Sequence, residues 1–215
     1  MSFYFVYVYL FLLLVAAIVS VVRFTVVDQA AKVFCILMVC TCVSEILALY
    51  VSYVFRNNLA VFAVFDIIQM VLTCLYFNYS IDIFYKWNLG IHFGAVSVIL
   101  GILNILYLQP INTFNTYFLI YESYTIIAMS LFSFFRLLLM HEQLKIKYYI
   151  HFWIPVCLVF LWSATLSSRV LNDYFMKRQV SYLWIMELIV LSINILVYSS
   201  IGFLYYYYPK MKEKC

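Results

Sequence analysis

The sequence is poor in charge, glycine and proline. Charged residues make up only 10% of its 215 residues, whereas about a quarter of an average soluble domain is charged. Its four glycines and three prolines leave few positions for tight turns or interrupted helices. Six cysteines are present, and because five of them fall within apolar stretches we expect no structural disulfide. This composition excludes an ordinary soluble domain.

Apolar residues dominate instead. They form 68% of the chain, whose mean hydropathy is +1.04, and 21 Tyr and 20 Phe supply aromatic rings of the kind enriched at membrane interfaces. Seven apolar stretches are each long enough to cross a bilayer, and backbone in hydrocarbon must satisfy its own hydrogen bonds as a helix. We predict one all-α domain over residues 1–215, a polytopic membrane protein with a seven-transmembrane-helix bundle. The predicted spans are 4–22, 32–55, 59–80, 89–108, 115–138, 149–168 and 181–206.

Basic residues in the connections predict the orientation. With the N-terminus outside, nine Lys and Arg residues fall on the inner side and four on the outer side. The nine are Arg23, Lys32, Lys86, Arg136, Lys145, Lys147, Lys210, Lys212 and Lys214, and the four are Arg56, Arg169, Lys177 and Arg178. Because cytoplasmic loops carry the excess of basic residues, we expect an N-out, C-in topology. The net charge of +4 is scattered through these loops, so we expect no nucleic-acid partner.

Four acidic residues fall inside the predicted spans, namely Glu45, Asp66, Glu122 and Glu187. No Lys or Arg lies deep in a span to pair with them. A charged side chain near the bilayer centre costs roughly 2.5–3.5 kcal/mol on insertion scales, so such residues usually face the bundle interior and mark function. Asp66, Glu122 and Glu187 each follow the outer end of their span by about two turns, or about 9–11 Å. Glu45 falls near mid-depth.

Helical spacing extends these acids into polar stripes. Gln69 lies one turn from Asp66, Asn194 lies two turns from Glu187, and Trp162 falls at a similar depth in the sixth span. We predict a polar pocket open to the outside, lined by spans two, three, five, six and seven. Its expected ligand-binding residues are Glu45, Asp66, Gln69, Glu122, Trp162, Glu187 and Asn194. The alternative is that the acids stay protonated and only hydrogen-bond neighbouring helices.

Neither a metal site nor a cofactor is predicted. His92, His141 and His151 lie towards the predicted inner side, away from the acids, and we expect them to be interfacial or loop residues. Ser44 and Ser123 adjoin acids in sequence but point differently around their helices, which argues against a Ser nucleophile. No Gly-rich phosphate loop or Cys/His metal spacing occurs. Catalytic residues are not assigned, and an enzyme is not the favoured interpretation.

Five short segments carry a resemblance to a known group. They are Ser44–Leu47, Arg56–Asn58, Phe65–Asp66 with Gln69, Tyr121–Ser123 and His151–Trp153. On these segments the chain resembles a small family of bacterial heptahelical membrane proteins, over most of its length. The resemblance implies a seven-helix fold in the cell membrane, the inner membrane of a bacterium. It implies no activity.

Three functions are compatible with an acidic intramembrane pocket. The favoured one is a ligand-binding or sensing module for a cation, an amine or a lipid headgroup, which would need a membrane or cytoplasmic signalling partner to transmit its state. The second is a small proton- or cation-coupled transporter, against which stands the scarcity of glycine and proline for broken helices. The third is an intramembrane lipid hydrolase with two carboxyls as acid and base.

Overall fold

The computed structural model is helical throughout the part of the chain that it describes. It describes the backbone of residues 3–140, 148–177 and 183–212, and the side chains of residues 5–139, 148–168 and 188–209. The helices are α1 (Phe3–Val22), α2 (Gln29–Phe55), α3 (Leu59–Ser80), α4 (Asp82–Trp87), α5 (Leu89–Leu103), α6 (Thr116–Met140), α7 (Ile150–Lys177) and α8 (Leu183–Lys212). A π-helical turn, Asn104–Leu108, continues α5. Within the described residues, seven helices are long and apolar enough to cross a membrane, all except α4.

Polar residues set several helix ends. The Asp28 side chain accepts a hydrogen bond from the backbone N–H of Ala31 at 2.9 Å and so caps the start of α2. Arg56 and Asn88 adopt left-handed backbone conformations, with φ of 57° and 50°, and end α2 and α4. Only residues 56–58 separate α2 from α3, so these two helices pack side by side in opposite directions.

Six of the helices form a closed ring. Neighbours pack in the order α1, α2, α3, α6, α7, α8 and back to α1, while α5 packs on α3. The connections 56–58 and 109–115 lie at one end of the bundle, called here the Asn58 end. The connection 23–28 and helix α4 lie at the opposite end, called the Asp28 end.

Glycine lets α5 approach α3 closely. A Cβ added at Gly90 would lie 2.3 Å from the Cys74 carbonyl oxygen, so any larger residue there would push the two helices apart. The Gly90 N–H also donates a hydrogen bond to Asn78 Oδ1 at 3.1 Å. This contact holds one face of α3 against α5, and Asp66 and Thr73 lie on an adjacent face, about 110–130° further around the helix.

The lateral surface of the bundle is apolar. Large side chains such as Phe11, Ile18, Leu138 and Phe160 are more than half exposed. A water-soluble protein does not expose apolar side chains along the length of several helices, because their contact with water is unfavourable. The described helices therefore form a multi-pass membrane protein.

The predicted spans agree closely with these helices, and three local differences stand out. Helix α4 lies between the predicted spans 59–80 and 89–108, in a predicted connection. Helix α7 continues to Lys177, although the run from Arg169 to Gln179 is predicted to be a connection; Gln179 itself lies outside the described residues. Polar residues lower the hydropathy there, but hydropathy marks the membrane boundary rather than the end of a helix. Helix α8 likewise runs through Pro209 to Lys212.

Candidate functional site

A cavity of about 180 Å³ lies at the Asn58 end between α3 and α6. It is lined by Asn58, Leu59, Phe62, Ala63, Asp66, Thr113, Phe114, Asn115, Thr116 and Leu119. Asp66 is the one titratable residue among these, and it is only 9% exposed. The start of α3, the 109–115 connection and the first turn of α6 thus place a carboxyl in a small and largely enclosed space.

Side-chain amides hold the Asp66 carboxyl. Asn115 Nδ2 donates a hydrogen bond to Asp66 Oδ2 at 3.3 Å, and Asn104 Nδ2 in turn donates to Asn115 Oδ1. The π-helical turn at the end of α5 presents Asn104 to the protein interior, where it is 4% exposed. Gln109 Oε1 accepts a hydrogen bond from the Tyr117 N–H at 3.0 Å. These amides fix the connection over the mouth of the cavity.

Glu122 lies deeper and without a partner. It is 0% exposed, and neither carboxyl oxygen has a hydrogen-bond partner in the part of the chain that the structure describes. Added at Gly101, a Cβ would meet both Ile67 and Phe118, so these two residues lie at one level on α3 and α6. Both helices run away from the Asn58 end. Glu122 follows Phe118 by four residues and Asp66 precedes Ile67 by one, so Glu122 lies about 7 Å further from the Asn58 end than Asp66, measured along the bundle axis.

Glu45 belongs to a different place. The Tyr9 hydroxyl donates a hydrogen bond to Glu45 Oε1 at 2.9 Å, and the Tyr198 ring lies 5.9 Å from the Tyr9 ring. Glu45 therefore points towards α1 and α8, on the side of α2 away from the Asp66 cavity. The structure does not bring Glu45 and Asp66 into one pocket.

The other predicted ligand-binding residues do not gather around the Asp66 cavity either. Trp162 is buried in α7, and its indole N–H has no hydrogen-bond partner among the described residues. Gln69 and Asn194 are partly buried on α3 and α8 and do not line the cavity. The backbone of Glu187 is helical, but its side chain lies outside the described residues. Of the six predicted residues whose side chains the structure describes, only Asp66 lines the cavity.

A second polar cluster lies at the Asp28 end, where the sequence analysis predicts only interfacial and connecting residues. His151 is 5% exposed and its Nε2 lies 2.5 Å from Asp28 Oδ2, while its Nδ1 lies 3.4 Å from the Tyr76 hydroxyl. His151 is therefore a buried residue that joins α2, α3 and α7. No group of three or more His, Cys, Asp and Glu residues able to hold a metal occurs within the described ranges.

The residues that sequence reasoning missed left only weak signals. Asn104 and Asn115 flank the connection between α5 and α6, where asparagine is common for local reasons. Asp28 reads as a helix cap, and nothing in the sequence relates it to His151, 123 residues later. Comparison with known family models, curated proteins and solved structures found no match to this chain.

Proposed function

We propose that the protein is a ligand-binding or sensing module whose cavity at the Asn58 end takes a small organic ammonium ion. The observation that supports this best is the position of Asp66. Its carboxyl lines a cavity in which the described lining residues include no Lys or Arg. A cationic ligand in this cavity would lie beside the Asp66 carboxylate, and opposite charges attract more strongly where most of the water is excluded.

Aromatic rings beside the acid favour an ammonium ion over a metal ion. Phe62 and Phe114 line the same cavity as Asp66. The face of an aromatic ring attracts cations, and such rings together with an acid are a common way to bind quaternary ammonium groups. Two asparagine side chains, Asn58 and Asn115, add amide oxygens that can accept hydrogen bonds from a primary amine.

The volume of the cavity sets the size of the ligand. At about 180 Å³ it resembles engineered cavities of about 150 Å³ that bind benzene. A choline-sized headgroup or a small alkylamine fits these limits. The lipid-hydrolase alternative gains no support from this geometry, because Glu122 has no exposed surface and does not share the cavity with Asp66.

Orientation completes the proposal. The basic residues of the connections favour N-out, C-in, which turns the Asn58 end and its cavity to the outside of the cell. An ammonium compound would then enter from outside. Because no described segment forms a soluble output domain, a signalling partner in the membrane or the cytoplasm would transmit the bound state.

Ligand-dependent melting tests the binding site. Tetramethylammonium, choline and a short alkylamine are titrated against the detergent-purified protein, and the midpoint of thermal unfolding is recorded. A ligand present at 100 times its Kd stabilises by about 2.7 kcal/mol, or roughly 5–10 °C for a chain of this length. Asp66→Asn should abolish that shift and Glu45→Gln should keep it, since Glu45 lies outside the cavity.

The pH dependence of binding supplies a second test. Protons and an ammonium ion compete for the same Asp66 carboxylate, so the melting shift should shrink once the pH is low enough to protonate that carboxylate. A wild-type protein that no ammonium compound stabilises would refute the binding site. An Asp66→Asn variant that keeps the full shift would refute the role of this carboxyl.

A further inference from the structure

The ring interior holds polar groups that the ammonium site does not use. Both oxygens of Glu122 and the hydroxyl of Thr73 are buried, and they have no hydrogen-bond partner within the described ranges. Thr73 follows Asp66 by seven residues on α3, so the two side chains share one face of that helix. Ile67 and Phe118 lie at one level, Glu122 follows Phe118 by four residues, and Thr73 follows Ile67 by six, so Glu122 and Thr73 differ by about 3 Å along the bundle axis. Glu122 and Thr73 therefore lie at nearly one level of the bundle.

The missing bond of Thr73 is unusual within this protein. Thr41, Thr125 and Thr165 each donate a hydrogen bond to the carbonyl four residues earlier, at 2.8–2.9 Å, as threonine in a helix commonly does. The Thr73 hydroxyl makes no such bond, so it remains able to donate to and accept from another group. Glu122 differs from Glu45 in the same way, since Glu45 is bonded to Tyr9.

Between Thr73 and the Asp28 end, three polar side chains are in direct contact, namely Tyr76, His151 and Asp28. Tyr76 lies three residues, or about 4.5 Å, further along α3 than Thr73, and the two hydroxyls are not directly bonded. Its hydroxyl lies 3.4 Å from His151 Nδ1, and His151 Nε2 lies 2.5 Å from Asp28 Oδ2. The Asp28 side chain is 45% exposed at its end of the bundle.

We propose that this series of groups conducts protons through the protein, from Asp66 at the Asn58 end to Asp28 at the Asp28 end. The order is Asp66, Glu122, Thr73, Tyr76, His151 and Asp28. Hydrogen bonds between oxygens are about 2.8 Å long, whereas Asp66 and Glu122 are offset by about 7 Å along the bundle axis, so bridging waters are needed between them. Glu122 and Thr73 have no hydrogen-bond partner among the described residues, so their links to each other and to Tyr76 also need water. Buried water binds at such sites, where several polar groups converge.

Each transfer conserves atoms and charge. Asp66 takes a proton from solvent and passes it to one Glu122 oxygen, and Glu122 releases a proton from the other. The Thr73 and Tyr76 hydroxyls each accept one proton and donate another. His151 accepts at Nδ1 and donates from Nε2 to Asp28, which releases the proton to solvent. One positive charge crosses the bundle per proton. The hydroxyl groups and the imidazole ring then return to their starting orientation and protonation, ready for the next proton.

Proton conduction goes beyond ammonium binding and shares only Asp66 with it. Proton flux needs no ammonium ligand, so the two proposals can fail separately. A protein that binds ammonium but passes no protons would keep the first proposal and refute the second.

Flux into liposomes tests the pathway. The purified protein is reconstituted into vesicles that contain the pH dye pyranine and potassium sulfate, and these are diluted into a medium low in potassium. Valinomycin then sets a negative interior potential and supplies the compensating charge. Wild-type vesicles should acidify at least ten times faster than empty vesicles, and an uncoupler added at the end verifies that all vesicles are intact.

Matched variants locate the pathway. Glu122→Gln should slow acidification about tenfold, whereas Glu45→Gln, the same change off the pathway, should stay within twofold of wild type. His151→Asn should also slow it, with His92→Asn as its control because His92 is exposed on α5. Thr73→Val removes the hydroxyl with little change in shape and should also slow acidification. It keeps the test valid if a substitution at Glu122 or His151 disturbs folding.

Three results would overturn the proposal. The first is wild-type flux no faster than that of empty vesicles. The second is undiminished flux in Glu122→Gln and Thr73→Val, which would show that protons avoid these groups. The third is an equal loss in Glu45→Gln and Glu122→Gln, which would show that any intramembrane acid affects flux through the fold alone.

Discussion

At the scale of single residues, Glu45 and Glu122 show how much a side chain's partner decides. Both are glutamates inside membrane-spanning helices. Glu45 accepts a hydrogen bond from the buried Tyr9 hydroxyl, whereas both oxygens of Glu122 lack a partner among the residues that the structure describes. A buried polar group without a partner costs about 1–3 kcal/mol, while a satisfied pair is roughly neutral or favourable.

This contrast predicts unequal effects of the same substitution. Glu122→Met removes a buried group without a protein partner among the described residues and should change the free energy of unfolding by less than about 1 kcal/mol. Glu45→Met leaves the Tyr9 hydroxyl unpaired and should lower it by about 1–3 kcal/mol. Thermal unfolding of both variants in one detergent measures the difference. A larger loss for Glu122→Met than for Glu45→Met would show that Glu122 has a stabilising partner.

At the scale of helices, the contact between α3 and α5 occupies one face of α3, while α2 and α6 also pack on α3. Gly90 and Gly94 lie one turn apart on α5 and both face α3, but the room for a side chain differs between the two positions. A Cβ at Gly90 would lie 2.3 Å from the Cys74 carbonyl oxygen and 2.6 Å from Asn78 Cβ. A Cβ at Gly94 would meet Cys74 Cβ at an ordinary 3.6 Å.

Alanine at these two positions should therefore behave differently. Gly90→Ala forces the backbones apart and should destabilise by about 1–3 kcal/mol, as overpacking usually does. Gly94→Ala should be neutral, or stabilising by about 0.5–1 kcal/mol, because alanine favours a helix over glycine. The measurement is the midpoint of thermal unfolding for both variants. Equal tolerance at both positions would show that α5 does not pack on α3 at this separation.

At the scale of the whole molecule, the two ends of the bundle differ in chemistry. The Asn58 end has a cavity lined by one carboxyl, amides and aromatic rings. The Asp28 end has a partly exposed aspartate paired with a buried histidine. Both proposals depend on a protein that presents different groups to the two sides of a membrane.

The predicted orientation is open to a labelling experiment. Asn57 and Lys86 are exposed at opposite ends of the bundle, so cysteine at each reports one side. With N-out, C-in, a membrane-impermeant maleimide added to intact cells should label Asn57→Cys and leave Lys86→Cys at the wild-type background. Lysed cells, in which both should react, provide the control. Labelling of Lys86→Cys alone in intact cells would reverse the orientation.

The spans could be predicted because their causes are local. A run of about 20 apolar residues and the need of backbone for hydrogen bonds in hydrocarbon do not depend on distant neighbours. The extension of α7 to Lys177 was missed because hydropathy reports the membrane rather than the helix. Asp66 could be singled out as an intramembrane acid, but the amides of Asn104 and Asn115 that hold it could not.

The sequence by itself determined that the described part of the chain is all-helical with seven helices able to cross a membrane, and that some of those helices carry acids. Only the tertiary structure decided which acids have partners. Helical spacing places residues on one face of one helix, whereas partnership depends on how that face is turned towards other helices. Tyr9 meets Glu45 and Asp28 meets His151 across 36 and 123 residues of chain, respectively. Such pairings follow from packing of the whole ring, and no local pattern contains them.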